Sequence, residues 1–407
     1  MVCVVVGVSA AGINAAKTLR EIDKNIEIIL VSKDEYVYSR CILHHFLDGR
    51  RDMKSLDFTP ENFFETYKIK WVTGVEVIGI DTNEKKLKLS NNEELSYDKV
   101  ILATGSSSFL PPIENLRSAN NVIGLRNLDD AIKIKEEVKK VKNVAILGAG
   151  LVGVDALAGL LDYGVNITLI EMGDRILPLQ LDKYAAGVYE ERLREEGVDF
   201  RFGVREEKVI VDNNNNPFSI KLNTGEEVPC ELIIACTGVR SNIGFLKDSG
   251  IECDKFGLII NSKGETNVRD VYGAGDITGR NPIWPTAVKE GIVAANNVLG
   301  KMIYMNDFFG SKNTMNFCGV ATMSLGMVNA PDNSYIEEKQ IKGKDYKKII
   351  HKDGVIYGAI IQGDLSYVGV LTQLIKENID IRKVTKPLFN IDYSDFFNEK
   401  ENLEFVY

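Results

Sequence analysis

Apolar positions in this chain fall mostly in short continuous runs separated by glycine-rich turns. Val2 to Val6 is one such run. It is followed by Gly7-Val8-Ser9-Ala10-Ala11-Gly12, by a helical apolar spacing through Leu19 and Ile22, and by a second run from Ile26 to Val31. That order predicts strand, glycine loop, helix and strand. The same order returns at Asn143 to Leu147, then Gly148-Ala149-Gly150-Leu151-Val152-Gly153, a helix through Leu161, and Asn166 to Ile170. The second glycine loop begins 141 positions after the first (148 − 7). Between the two, Thr73 to Leu89 alternates as antiparallel strands do, and Tyr97 to Ala103 is a short buried strand closing on Thr104-Gly105. Further on come a strand from Glu231 to Ala235, the segment DVYGAGD from Asp270 to Asp276, and a helix from Pro285 to about Leu299. After Asn306 the pattern changes. Tyr346 to His351, Val355 to Ile361 and Leu371 to Ile375 predict strands and one helix in a separate domain with no glycine loop.

Composition narrows the class without naming a chemistry. A chain of 407 residues, 44% apolar and 26% charged, predicts two or three globular domains. No apolar run reaches the roughly 18 residues that span a bilayer, and the first residues enter a strand directly, so no membrane partner and a cytoplasmic location are expected. A net charge of −9 provides no basic patch for phosphate backbones, which argues against a nucleic-acid partner. The six cysteines, Cys3, Cys41, Cys230, Cys236, Cys253 and Cys318, form no metal-ligand spacing, so no metal site is expected.

The second glycine loop carries the more specific signal. Gly148 permits a tight turn, Gly150 lets the backbone approach a pyrophosphate, and Gly153 lets helix and strand pack closely. Leu151 and Val152 open the helix, whose N-terminal amides face the anion. Glu171 ends the next strand, 18 residues after Gly153 (171 − 153). A carboxylate there accepts hydrogen bonds from a ribose 2′-hydroxyl. It would repel a 2′-phosphate by roughly 4 kcal/mol at about 4 Å and an effective dielectric of about 20, so NADH is expected in preference to NADPH. The competing reading is a solvated strand-end glutamate, and Arg175 would soften the preference if it turned toward the ribose. In the first loop Ser9 replaces the second glycine and Ser32 stands at the strand-end acid's place. That unit is either a dinucleotide site or a structural strand-helix-strand.

From Val2 to about Leu299 the chain resembles the two-dinucleotide flavoproteins of the pyridine nucleotide-disulfide oxidoreductase family. YDKVILATG at Tyr97 to Gly105 is similar to the family's segment leaving the FAD domain, and IIACTGVRSN at Ile233 to Asn242 to its return. TNVRDVYGAGD at Thr266 to Asp276 resembles the second FAD motif. The resemblance implies an α/β fold with two Rossmann-like domains and a smaller α+β C-terminal domain. These are a discontinuous FAD domain (1–113 and 240–305), an inserted NAD(P)H domain (114–239) and the C-terminal domain (306–407). It implies FAD on Gly7, Ser9, Ala10, Ala11 and Gly12, with Ser32, Lys33, Arg40, Ala103, Thr104, Gly105, Gly238 and Gly275 around it, and Asp276 on the ribityl-phosphate side. The helix beginning near Trp284-Pro285-Thr286 turns its N-terminus toward the isoalloxazine, where roughly half a positive charge favours the anionic reduced ring. Asp155 departs from the family's usual glutamate near the nicotinamide.

The acceptor divides the family. Cys41 is followed by Ile42, Leu43, His44, His45 and Phe46, so the paired-cysteine disulfide is missing. Cys41 matches the single cysteine of coenzyme A disulfide reductases and NADH oxidases, while Tyr38-Ser39-Arg40 resembles the NADH:rubredoxin reductases and the flavin domain of nitrite reductases. Ala10 stands where peroxidase members have a histidine. Arg40, His44 and His45 are placed to lower the Cys41 pKa, and Cys41 is either redox-active or a spectator. The reading that follows is an NADH oxidoreductase with Cys41 and Arg40 as catalytic candidates. It is a monomer or homodimer that serves a small redox protein or a small-molecule acceptor such as oxygen. A single-cysteine disulfide reductase and a non-enzymatic flavin-binding regulatory subunit are the alternatives.

Overall fold

The computed structural model describes residues 1–305, 312–396, 398–399 and 405–406. The chain divides into two compact units. One comprises Met1–Gly148, Asp155–Ile170 and Arg205–Gly310; the other comprises Ala149–Val154, Glu171–Val204 and Ser311–Tyr407.

The first unit holds both glycine-loop strands. Val2–Val6 sits at the centre of a parallel sheet ordered Val271–Gly273, Lys99–Leu102, Val2–Val6, Glu27–Ser32 and Lys70–Thr73. Its alternate residues face opposite ways, as the strand period of two requires. Cys3, Val5, Ile28 and Leu30 pack under the helices, while Val4, Val6, Ile29 and Val31 pack against Leu87, Leu89, Leu246 and Ile251. Each such fully buried branched side chain contributes about 1.5–3 kcal/mol. The helices Ala10–Ile22 and Trp284–Val298 cover one face through small residues. A Cβ on Gly291 would lie 2.3 Å from the Ala11 carbonyl oxygen, so only glycine permits this approach.

Around the second glycine loop, Asn166–Glu171, Asn143–Leu147, Leu232–Ala235 and Val122–Gly124 lie side by side in parallel. The helix after the loop runs Leu151–Leu160 and ends in a 3₁₀ turn, Leu161–Tyr163. Gly164, at φ +69°, then ends the turn as a left-handed cap. The expected antiparallel strands are Val77–Asp81 and Lys86–Leu89, and a third, Glu94–Ser96, joins them.

In the second unit, a five-stranded antiparallel sheet runs in the order Lys312–Phe317, Val320–Gly326, Val355–Gln362, Asp345–Lys352 and Ile336–Lys342. The helix Val368–Lys376 packs on it, burying Leu371 and Leu374. Two of these strands and the helix were expected; the other three strands are additional. The expected boundary at residue 306 lies outside the described residues. Among the described residues, no helix is long and apolar enough to cross a membrane.

Candidate active site

The first glycine loop is tightly built. Gly7 has φ +116°, and a Cβ there would meet the Ala103 carbonyl oxygen at 2.2 Å. A Cβ on Gly12 would fall 1.8 Å from the Gly7 oxygen. Ser9 is the extended N-cap of the following helix, and its hydroxyl makes no cap hydrogen bond. With no acidic residue in the first turn formed by Ala10, Ala11 and Gly12, the helix end keeps its positive character. Ser32 is buried; its hydroxyl donates to the Asp34 carbonyl at 2.7 Å and accepts from Trp71 Nε1 at 2.9 Å. One acceptor lone pair is left for a ligand. Lys33 is exposed.

The segments expected to leave and rejoin the first domain meet side by side. Ser106–Ser108 pairs antiparallel with Val239–Ser241. Asn242 fastens the Ala103-Thr104-Gly105 turn: its Nδ2 donates to the Thr104 carbonyl at 2.9 Å, its N–H donates to the Gly105 carbonyl at 3.0 Å, and its carbonyl accepts from Thr104 Oγ1 at 3.0 Å. Gly105 (φ +69°) and Gly238 (φ +106°) have open space where a Cβ would be. Asp276 lies in the turn after Val271–Gly273, where its carboxylate pairs with the Arg126 guanidinium and accepts from Ser106 Oγ at 3.4 Å. Gly275 N–H donates to Glu290 Oε2 at 2.6 Å, and burial pushes the Glu290 carboxyl up to about 7. Trp284 starts its helix edge-on to Phe58, ring centroids 4.8 Å apart, and Thr286 in the first turn is buried.

Cys41 lies in the 3₁₀ turn Arg40–Ile42, ahead of the short helix Leu43–Leu47. It is exposed to solvent. Burial first, and the Asp155 carboxylate next, push the thiol up to about 11. Arg126 and Arg40 pull it down by less. Both terminal nitrogens of Arg40 have partners: Nη2 donates to Asp34 Oδ2 at 2.7 Å, and Nη1 to Tyr38 Oη at 2.7 Å, to the Arg126 carbonyl at 3.2 Å and to Asn127 Oδ1. His44 does not supply positive charge in its place. His44 is pushed down to about 4 by burial and then by His45. Its Nδ1 lies 3.6 Å from Asp155 Oδ1, and at neutral pH that contact joins a neutral imidazole and a carboxyl rather than an ion pair. Burial raises Asp155 itself to about 7.

In the second glycine loop, Gly148 has φ +94° and closes on the Cys236 carbonyl, 2.6 Å from where a Cβ would stand. Gly150 has nothing within 4 Å of its Cβ position. Its carbonyl accepts the first helical hydrogen bond, from Val154, so Leu151, Val152 and Gly153 form the first turn with their amides free of intrahelical partners. Glu171 is not a loose surface acid. Its Oε2 accepts from the Ala149 N–H and its Oε1 from the Gly173 N–H, both at 2.7 Å. Arg175 is turned elsewhere, bound to the Pro178 and Leu181 carbonyls and to Asp174. Sequence reasoning missed Arg126 and Asn127. The one local signal was the Asn127 and Asp130 pair, in which Asp130 accepts from the Asn127 N–H at 2.8 Å to start the helix Leu128–Glu137.

The sequence model described as pyridine nucleotide-disulphide oxidoreductase matches residues 1–291, and that of the rubredoxin NAD+ reductase C-terminal domain matches residues 312–379. An NADH oxidase of Methanocaldococcus jannaschii is 30% identical over 321 residues, which are 74% of this chain and 70% of that protein. The NADH-rubredoxin oxidoreductase of Clostridium acetobutylicum is 25% identical over 95% of this chain and 97% of its own length. A NAD-dependent persulfide reductase from A. fulgidus shares the fold at a TM-score of 0.84 and 24% identity, covering 94% of this chain and 78% of that one. The 1–291 match takes in both glycine loops, the Asp276 turn and the start of the Trp284 helix; on that basis the chain belongs to the pyridine nucleotide-disulfide oxidoreductases, enzymes that bind FAD and NAD(P)H.

Proposed function

We propose that this NAD(P)H oxidoreductase takes its electrons from NADH and delivers them from FAD to a small redox protein of the rubredoxin kind or to oxygen. The proposed division is an FAD domain of 1–113 and 240–305, an NAD(P)H domain of 114–239 and a C-terminal domain of 306–407. FAD would be held by the Gly7 to Gly12 loop, with Ser32 and Lys33 at its ribose, and by Ala103 to Gly105, Gly238, Gly275 and Asp276. The uncompensated helix end at Ser9 and the open Cβ positions at Gly105 and Gly238 fit such a group. NADH would lie on Gly148 to Gly153, with Asp155 toward the nicotinamide and Glu171 accepting from the ribose. The backbone amides holding Glu171 leave a lone pair on each oxygen for that bond. When bound, FAD supplies hydride acceptance from NADH and release of electrons to the acceptor.

The chain's own residues orient and protonate. The Trp284 helix end places partial positive charge at the site. Asp155, at about 7, exchanges a proton near neutral pH and sits beside His44. Arg40 locks the Cys41 turn to Asn127 at the start of the Leu128–Glu137 helix, so its role in this reading is to position that turn.

The single observation carrying this reading over thiol chemistry is the Cys41 environment. A thiol raised to about 11 is almost wholly protonated at neutral pH, and the thiolate is the nucleophile. The match of residues 312–379 to the rubredoxin reductase C-terminal domain favours a redox-protein acceptor. The second reading, reduction of a disulfide or persulfide by Cys41, is favoured by the accessibility of the thiol. The test is an acceptor screen on NADH-reduced protein, wild type and Cys41→Ser, with rubredoxin, oxygen and coenzyme A disulfide. Retained turnover of rubredoxin or oxygen in Cys41→Ser supports the proposal. Turnover restricted to the disulfide and abolished in Cys41→Ser overturns it.

A further inference from the structure

Ala149, between the two glycines of the second loop, is held at both its amide and its carbonyl. Its N–H donates to Glu171 Oε2 at 2.7 Å and its carbonyl accepts from the Leu177 N–H at 2.8 Å. Leu177 is fully buried with φ +50°, a left-handed conformation that leucine rarely adopts and that persists only where the neighbours fix it. The local fixings are visible. The Leu177 carbonyl accepts from the Gln180 and Leu181 amides at 2.9 Å each, Arg175 donates to the Pro178 and Leu181 carbonyls, and the Ile176 N–H donates to Glu190 Oε1 at 3.1 Å.

The far end of this segment is anchored in the C-terminal sheet. Asp182 is the N-cap of the helix Lys183–Glu195, accepting from the Ala185 N–H at 3.0 Å through Oδ1. Its Oδ2 accepts from the Tyr346 hydroxyl at 2.6 Å and lies 3.4 Å from Lys348 Nζ. Lys348 is 2% exposed. Its ammonium also meets Glu337 Oε1 at 3.0 Å and donates to the Val328 carbonyl at 2.8 Å. The same helix is fastened again by Tyr189, which donates to the Val320 carbonyl at 2.7 Å, and by Gln362 Nε2, which donates to the Ala185 carbonyl at 3.1 Å. A buried ammonium is tolerated only when its partners are all in place, so the carboxylate it meets is fixed in position. That carboxylate ends the segment whose other end grips Ala149.

We infer that the C-terminal sheet sets the affinity for NADH: Tyr346 and Lys348 are positioning residues. They hold 171–182, and through it Glu171 and Ala149, in the geometry that receives the adenosine end of the dinucleotide. The inference rests on the proposed role of Glu171. ADP-ribose separates the two, because it carries the adenosine and pyrophosphate but no hydride. Its dissociation constant is measured by calorimetry on the holoprotein for the wild type, Glu171→Gln, Tyr346→Phe and Asp182→Asn. Asparagine keeps the helix cap while removing the charge that Lys348 meets. Tyr346→Phe and Asp182→Asn should each weaken ADP-ribose binding by between about twofold and thirtyfold, the range for substitutions that alter coupling without touching ligand. The NADH KM should rise with it and kcat should stay unchanged. If Glu171→Gln binds ADP-ribose as the wild type does, the ribose assignment fails. If Glu171→Gln binds more weakly while Tyr346→Phe and Asp182→Asn fold and bind normally, the coupling fails. A lowered melting temperature with unchanged binding marks a purely structural network and also overturns the inference.

Discussion

Gly150→Ala separates a glycine kept for the fold from one kept for a ligand. At Gly150 a Cβ meets nothing within 4 Å, and the residue is not among those with positive φ. Two effects on stability oppose one another. Alanine restricts the unfolded chain, a gain of about 0.4–1 kcal/mol, while it is a poorer N-cap than glycine by a similar amount. The melting temperature should therefore move by no more than about 4 °C. Binding should behave differently, because a methyl group placed where a pyrophosphate approaches the backbone is overpacked by about 1–3 kcal/mol. At about 1.4 kcal/mol per tenfold, that is a rise of roughly 5- to 150-fold in the dissociation constant for NAD+. Calorimetry with NAD+ on the oxidised holoprotein, with a thermal melt of the same sample, reads both. Gly148→Ala is the contrast: φ +94° and a carbonyl oxygen 2.6 Å from the new Cβ predict a loss of stability as well. Gly150→Ala protein that is folded and binds NAD+ as tightly as wild type would refute the reasoning. So would a melting temperature lowered as far as that of Gly148→Ala.

Three further outcomes follow. Glu171→Gln should weaken NADH binding and narrow the preference over NADPH, read as the ratio of the two kcat/KM values; an unchanged ratio removes Glu171 from cofactor selection. Alkylation of Cys41 by iodoacetamide should accelerate with pH up to about 11, because burial and Asp155 favour the protonated thiol; a rate that levels off near neutral pH would mean a thiolate is already formed. Glu290 binds its proton more tightly folded, at about 7, than unfolded, at about 4.5. The native state therefore holds more protons between those values, and Glu290 lowers stability as pH rises through that window. Glu290→Gln should melt at a higher temperature than wild type at pH 8 and lose that advantage toward pH 4, and an advantage that grows toward low pH would reverse the assignment.

What the sequence made legible was local. Both glycine loops, their flanking strands and the Trp284 helix were visible because β-branched runs and glycine spacing act within about 30 residues. The edge strand Ile336–Lys342 was not, since almost all of its residues are exposed and it shows no alternation. The strand Val320–Gly326 was hidden for the opposite reason, with Thr322 and Ser324 buried among its apolar residues. Val122–Gly124 is too short to carry a pattern. At the site, residue types were legible and their partners were not. Arg126 reaches Asp276 across 150 positions, and Arg40 is taken up by Asp34, Tyr38 and Asn127 rather than by the neighbouring thiol. The Asp155 carboxylate that faces Cys41 from 114 positions away (155 − 41) was likewise not visible from the thiol's sequence neighbours.

The central claim, that this chain passes electrons from NADH into bound FAD, is tested most directly by anaerobic titration of the purified yellow protein with NADH and, separately, NADPH. The account predicts that one equivalent of NADH bleaches the flavin absorbance, and that NADPH requires a large excess. A colourless protein, or a flavin that NADH leaves unbleached, would contradict it.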